Sequence, residues 1–457
     1  MKSIRSSLGL LAAATSMASP ALANSDPGLA REVLLKSIEY RTVVGEGQVP
    51  ALAAYYKSVL TKAGFADGDI EIMPVGETAV LVATLRGSDP SLKPIGLLGH
   101  MDVVEAKRED WVRDPFKAVE EGGFIFGRGA EDNKYDVAMM VATFAQLKKE
   151  GYEPRRSLIL LLSGDEESNM TSAPVLAAKF PDLEMVLNGD GGGGVLGADG
   201  QPEVYHLQAG EKTYGDYDIS FTDPGGHSSA PTPTNPIYRL ARALDRLAAY
   251  QFPPMINELT RASFLATAPQ AGGEVGSAMA RYARDQDPQA AAILSARPEY
   301  VGQVRTTCVA TQIEGGHAAN ALPQRATATV NCRIFPGVSL GQVRDQIEKV
   351  VADPSAKVTA RFEDVWSDAS PLRKDIMDAV TKAVHTRYPK LKITPSMTSG
   401  ATDSLFFRAK GIPSYGVSSL FQKPGDSMAH GLNERVPVAG IKPSLEQWYS
   451  LVTTLSN

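Results

Sequence analysis

The sequence predicts an α/β protein built on a mixed sheet, with a smaller ferredoxin-like α+β domain inserted into it. Three observations carry that expectation. The apolar runs Ile95–Leu98 and Leu158–Leu162 read as strands covered on both faces, and each stops at a Gly or Ser beside polar groups. Val137, Met140, Val141, Phe144 and Leu147 recur at helical spacing between them, so a helix covers the sheet. Beyond Glu211 the predicted order becomes β-α-β-β-α-β, which is that of a ferredoxin-like unit.

With 457 residues the chain exceeds what one core usually holds. We divide it into residues 24–211 and 367–457, the two parts of the larger domain, and the inserted domain 212–366. A helical, Ala-rich segment at about 251–305 exceeds what a compact inserted domain needs. Residues 1–23 read as an export signal: Lys2 and Arg5, an apolar stretch from Leu8 to Ala18, then Ala21-Leu22-Ala23 ahead of a cut near Asn24. That stretch is shorter than the ~20 apolar residues of a membrane span and is broken by Thr15, Ser16 and Ser19. The expected location is therefore the periplasm or the exterior. A net charge of −6 without a basic block argues against a nucleic-acid partner.

Taken in order, apolar spacing predicts two helices between Gly28 and Gly64, one from Leu29, Val33, Leu34 and Ile38, the other from Leu52, Tyr55, Tyr56, Val59 and Leu60. Strands follow at Ile70–Pro74 and Ala79–Arg86, then the strand ending at His100. A loop and hairpin occupy the region of Trp111 and Gly122-Gly123. A helix is predicted over Tyr135–Gly151, and strands at Ser157–Ser163 and Met185–Leu187. The glycine run Gly191–Gly194 lacks the lysine and spacing of a phosphate loop. In the inserted domain, strands at Tyr214–Phe221, Thr306–Ile313, Ala326–Phe335 and Lys357–Val365 alternate with helices at Pro236–Tyr250 and Leu340–Ala352. Cys308 and Cys332 fall in the two middle strands. Cross-strand pairing would permit a disulfide, with two buried thiols as the open alternative. The chain then returns through a helix to Tyr388, strands at Lys392–Ser396 and Ser414–Val417, and a closing helix.

The residues that carry chemistry sit beside these strand ends. His100 and Asp102 are two apart and share a strand face, so the carboxylate is placed to orient the imidazole. Alone, such a pair is more often structural than a ligand. Downstream come Gly127-Arg128-Gly129-Ala130-Glu131-Asp132-Asn133-Lys134, Ser163-Gly164-Asp165-Glu166-Glu167-Ser168, Asn188-Gly189-Asp190, and Met428-Ala429-His430-Gly431. Five motifs in this order, over nearly the whole chain beyond the signal, resemble the M20 family of co-catalytic zinc peptidases.

That resemblance implies two zinc ions, with cobalt or manganese as alternatives. His100 and Asp190 would hold one metal, Glu167 and His430 the other, and Asp132 would bridge them. Three ligand carboxylates and one hydroxide against two divalent cations come out near neutral, whereas the acidic cluster alone would repel itself. Glu166 corresponds to the general base that deprotonates a metal-bridged water. His227, in Gly225-Gly226-His227-Ser228-Ser229, matches a histidine that reaches a neighbouring subunit's site and stabilises the oxyanion. Asn320, Arg333 and Gly400, the last in the loop Thr398–Asp403, match substrate-holding positions, and a guanidinium suits a free carboxylate.

Three positions depart from the family pattern. Tyr135 and Glu105 stand where Gly and Pro are frequent, which is expected to reshape the rim, and Asp190 is the residue more typical of aminopeptidases and dipeptidases. The expected activity is hydrolysis of the amide of a short peptide or N-acyl amino acid carrying a free carboxylate, in a protein that pairs into a homodimer through the inserted domain. The alternatives are an amidase or deacylase on a non-peptide conjugate, and a metal-dependent binding protein without turnover. A serine hydrolase on Ser228 or Ser229 is disfavoured, because His227 is adjacent in sequence and no elbow motif is present.

Overall fold

The computed structural model describes residues 25–457, so the export signal expected at residues 1–23 lies outside the described residues. A ten-stranded mixed sheet forms the centre. Along it run Ile70–Val75, Thr78–Leu85, Leu158–Ser163, Ile95–His100, Met185–Asn188, Ser414–Gly416, Pro202–Glu211, Gly193–Leu196 and Phe421–Gln422, with Ile393–Thr398 also paired to Pro202–Glu211. The three strands Leu158–Ser163, Ile95–His100 and Met185–Asn188 are parallel. In these strands successive side chains serve opposite faces. Leu97, Leu160 and Leu162 join the core with Leu34, Met140, Phe144 and Trp448, while Leu98, Ile159 and Leu161 join Val80, Leu176 and Phe407 on the other side. Coverage of both faces is why the strands read as unbroken apolar runs.

The helix Lys134–Lys149 is buried along most of its length beneath this sheet. Tyr135 does not shape a rim as its position suggested: it is fully buried and its hydroxyl meets Ser444 Oγ at 3.0 Å. Glu105 does lie at the surface, paired with Arg41 at 2.7 Å.

A separate four-stranded antiparallel sheet runs Thr307–Gly315, Arg325–Ile334, Thr213–Thr222, Lys357–Ala360, with the last strand shorter than its apolar pattern suggested. This is the ferredoxin-like strand order. The helices Pro236–Ala249 and Leu340–Val351 cover one face through Tyr217, Ile219, Phe221, Leu240, Val330 and Ile347. Cys308 and Cys332 stand directly opposite each other in register and are joined as a disulfide. The Ala-rich segment forms four helices, Glu258–Ala271, Gly273–Asp285, Pro288–Ser295 and Pro298–Val304, around Phe264, Met279, Tyr282 and Leu294. Its Leu259 belongs to the main core, so the segment packs on the large sheet.

Candidate active site

Parallel register sets the site. His100 is level with Ser163, and Leu98 with Asn188, so the segments that follow all three strands emerge at one edge, where open α/β sheets place their ligands. Asp165 shapes the second segment: its carboxylate accepts the backbone N–H of Thr171 at 2.8 Å and of Ser172 at 2.9 Å, where the helix Ser172–Lys179 begins.

The structure brings together all five residues matched to the family's metal ligands. His100 Nε2 lies 2.9 Å from Asp132 Oδ1 and 4.0 Å from Asp190 Oδ2. His430 Nε2 lies 2.9 Å from Glu167 Oε1 and 3.3 Å from Asp132 Oδ2. Asp132 thus sits between the two imidazoles, one oxygen toward each. His100, Asp132 and Glu167 form one potential metal-binding group, and His100, Glu166 and Asp190 another, with ligand atoms within 4.8 Å of one another. Neutral imidazole and carboxylate oxygen are the donors that zinc, cobalt and manganese share, so the residues fit a pair of divalent cations.

The electrostatics of the metal-free cluster say the same. Burial and then the Asp132 charge push Asp190 well above the ordinary carboxylate range, and burial and then the Asp190 charge do so for Glu166. Burial acts to raise Asp132 as well, yet hydrogen bonds from His100 and His430 hold it below that range. Hydrogen bonds to Asp132 and Glu167 carry His430 up to about 10. Too many acids share too little cationic charge, a deficit that divalent ions would relieve.

Asp102 lies beside His100, as its spacing suggested, and has a second role. The nearest oxygen to His100 Nδ1 is the Asp102 backbone carbonyl at 3.1 Å, with the carboxylate at 3.5 Å. The carboxylate also accepts the backbone N–H of Glu166 at 3.1 Å and of Glu167 at 2.9 Å. It therefore fixes where the two glutamates diverge.

Among the described residues, those matched to substrate contacts make no side-chain hydrogen bond to this cluster. Arg333 lies over the Tyr214 ring, and its Nη1 donates to the Ser399 carbonyl at 3.3 Å, beside Gly400. His227 is exposed and pairs in a two-stranded ribbon with Ala321, its Nδ1 2.7 Å from Ser229 Oγ. Ser228 N donates to the Asn320 carbonyl at 3.0 Å. His227 and Asn320 thus share one ribbon beside the inserted sheet, and among the described residues no side-chain hydrogen bond joins either to the candidate metal-ligand cluster.

Sequence reasoning missed two buried acids beside the site. Glu434 is fully buried and accepts from Arg128 Nη1 at 2.7 Å and from the backbone N–H groups of Gly129, Glu131 and Asp132 at 3.0, 2.7 and 3.0 Å. Asp403 accepts from Ser163 Oγ, and burial pushes it up to about 7. Asp403 closes the loop that had been read for Gly400 alone. Glu434 follows His430 by four residues, the only local signal it gave.

A mixed α/β sheet that assembles two histidines and three carboxylates at its strand ends, with a spare glutamate beside them, defines a metal-dependent hydrolase. The chain belongs to peptidase family M20/M25/M40, whose model matches residues 96–454. It is 29% identical over 381 residues to the human N-fatty-acyl-amino acid synthase/hydrolase PM20D1, covering 81% of this chain and 75% of that protein. It is 24% identical over 423 residues to pig aminoacylase-1, covering 92% and 93%. Its fold matches that of an M20 family metallo-carboxypeptidase from Sulfolobus solfataricus, Sso-CP2, with a TM-score of 0.71 at 18% identity, over 93% of this chain and 98% of that one. Among the described residues no helix is long and apolar enough to cross a membrane.

Proposed function

We propose that this is an exported, two-zinc hydrolase that cleaves the amide of short peptides or N-acyl amino acids carrying a free carboxylate. The observation that carries the reading is the divergence of Glu166 and Glu167. Asp102 holds both backbones, Glu167 turns to His430, and the Glu166 carboxylate makes no hydrogen bond to any described residue. Bound zinc would polarise the amide carbonyl and lower the pKa of water at the site. Glu166, buried and with its carboxylate free of hydrogen bonds to the described residues, is placed to take a proton from that water and return it to the leaving amine. Arg333, beside the Ser399-Gly400 loop, would pair with the substrate carboxylate. Human PM20D1 and pig aminoacylase-1 support an acylated substrate; Asp190 favours the second reading, a dipeptidase acting on a free amine.

The exposed Val309 and Ile313 on the edge strand Thr307–Gly315 support a homodimer through the inserted sheet, which would bring His227 to a partner's site. The test is cleavage of matched dipeptides with free and acylated amines by zinc-loaded protein, with a chelator control, read by mass spectrometry. Glu166→Ala should keep two zinc ions per chain and lose turnover. Chelator-resistant cleavage, or full activity of Glu166→Ala, would overturn the reading.

A further inference from the structure

Thr307, Arg333 and Tyr214 stand level on three adjacent strands of the inserted sheet, so their side chains share one face. It is the face opposite Ile219, Phe221, Cys332 and Ile334, which turn toward the two covering helices. At the end of this open face Lys212 Nζ donates to the Arg305 carbonyl at 2.9 Å and to Thr307 Oγ1 at 3.2 Å, while Arg333 reaches the Ser399 carbonyl. Ser399 begins the loop whose Thr402 meets Asn188 and whose Asp403 meets Ser163, at the strand ends that bear the metal-ligand cluster. One short loop therefore joins the open face to the candidate active site.

Both cations bond only to neutral oxygens among the described residues. Burial, and then the Arg333 charge, lower Lys212 to about 7, a cost that an anion beside the pair would relieve. The acids of the same face are already committed. Asp216 accepts from the Tyr214 hydroxyl at 2.9 Å and from Asn331 Nδ2 at 2.8 Å, and Asp218 pairs with Arg361 at 2.8 Å. The place at Arg333 thus suits a carboxylate on charge alone, without appeal to any relative. Two rings adjoin it. The Arg333 guanidinium lies 4.8 Å from the centre of the Tyr214 ring, and Phe362 meets that ring edge to face, 5.6 Å between centres. Tyr214 is 37% exposed and Phe362 52%, and the bond to Asp216 fixes the Tyr214 ring in place. An anion site with a preformed apolar surface next to it matches the two ends of an amino acid that carries a large apolar side chain.

We propose that Tyr214 and Phe362 are specificity-determining residues: they receive the aromatic or large apolar side chain of the leaving amino acid, whose free carboxylate pairs with Arg333 backed by Lys212. This rests on the hydrolase reading and names the amino-acid half of its substrate. A small side chain would leave both rings in water, and a cationic one would be repelled by Arg333.

The experiment compares N-acetylphenylalanine, N-acetylalanine and N-acetyllysine as substrates of the zinc-loaded full chain. The expected kcat/KM for the phenylalanine derivative is about tenfold or more above each of the others. Tyr214→Ala and Phe362→Ala should each lower the phenylalanine-to-alanine ratio roughly 3–10-fold. Should Tyr214→Ala misfold, Phe362→Ala carries the test, since Phe362 is the more exposed of the two rings. Calorimetric binding of N-acetylphenylalanine to chelator-treated protein, weaker in Phe362→Ala, reads the surface without turnover. Such binding with no hydrolysis of any substrate by the zinc-loaded protein would leave the surface standing and remove the hydrolase reading. Chelator-sensitive hydrolysis that treats phenylalanine and alanine alike, unmoved by either variant, would overturn this inference alone. A Phe362→Ala chain with altered oligomeric state and unaltered selectivity would overturn it too, by making the rings a contact between copies.

Discussion

Arg128 and Glu434, 306 residues apart in the chain and both buried, form an ion pair at 2.7 Å that ties the Asp132 loop to the His430 loop. Arg128 also reaches the His430 carbonyl through Nη2 at 3.4 Å, so one clamp holds the residue between the two imidazoles and one of the imidazoles. Removing one partner of such a pair strands the other. Glu434→Ala should cost about 3–5 kcal/mol of stability and weaken zinc binding roughly 10–100-fold. Glu434→Gln, which keeps an acceptor for the loop N–H groups, should lose less of both. Thermal unfolding with a zinc titration checks this, and an alanine variant unchanged in both measurements would exclude the clamp.

That clamp also marks where sequence reasoning stopped. His100, Asp132, Glu167, Asp190 and His430 were legible because each follows a strand or sits in a family motif, and the parallel register then brings the strand ends level. Glu434 was not, because its burial depends on an arginine 306 positions away and a single glutamate in a polar loop reads as solvated. The strand Gly193–Leu196 was missed because glycine has no side chain to show a period. The helix Ser172–Lys179 is only eight residues long, too short for a helical stripe to register. The main-chain role of Asp102 was hidden for another reason: spacing fixes which face a side chain takes, and not which of two neighbouring donors it satisfies.

Metal binding should release protons. Without metal, hydrogen bonds to Asp132 and Glu167 raise His430 to about 10, so it is protonated at pH 7, while zinc needs the neutral imidazole. The sign for stability follows: in the metal-free protein the His430 pairing contributes fully below about 6.5, the unfolded histidine value, and is lost as pH rises through about 10. Zinc affinity must run the other way, rising about tenfold per pH unit for each proton displaced. Chelator competition at pH 6, 7 and 8 measures the slope. An affinity flat across that range would mean that no proton leaves the cluster.

The Cys308–Cys332 bridge spans 24 positions, and closing such a loop stabilises by about 3.5 kcal/mol through the unfolded chain. Cys332 is fully buried in the core of the small sheet, so the loss on reduction is expected there first. Reduction should add two hydrogens to the intact mass and lower the unfolding midpoint, as should Cys308→Ser with Cys332→Ser. An unchanged mass on reduction would show that the purified protein holds two thiols.

His227 makes its side-chain hydrogen bond with Ser229 and, among the described residues, none with the candidate metal ligands, so the proposed role in turnover would require a second chain. If the edge strand carrying Val309 and Ile313 pairs two molecules about a twofold axis, each site takes Glu166 from one chain and His227 from the other. His227→Ala should then lower kcat by about 10²–10³-fold, the loss expected for one oxyanion donor, and Glu166→Ala should abolish turnover. Mixing the two inactive variants restores one complete site in every mixed dimer. Half of randomly reassorted dimers are mixed, so about a quarter of wild-type activity should return. Size-exclusion chromatography with light scattering establishes the dimer, and activity of the mixture, read after subunit exchange, tests the shared site. A mixture no more active than its parts would place the oxyanion donor on the same chain as Glu166.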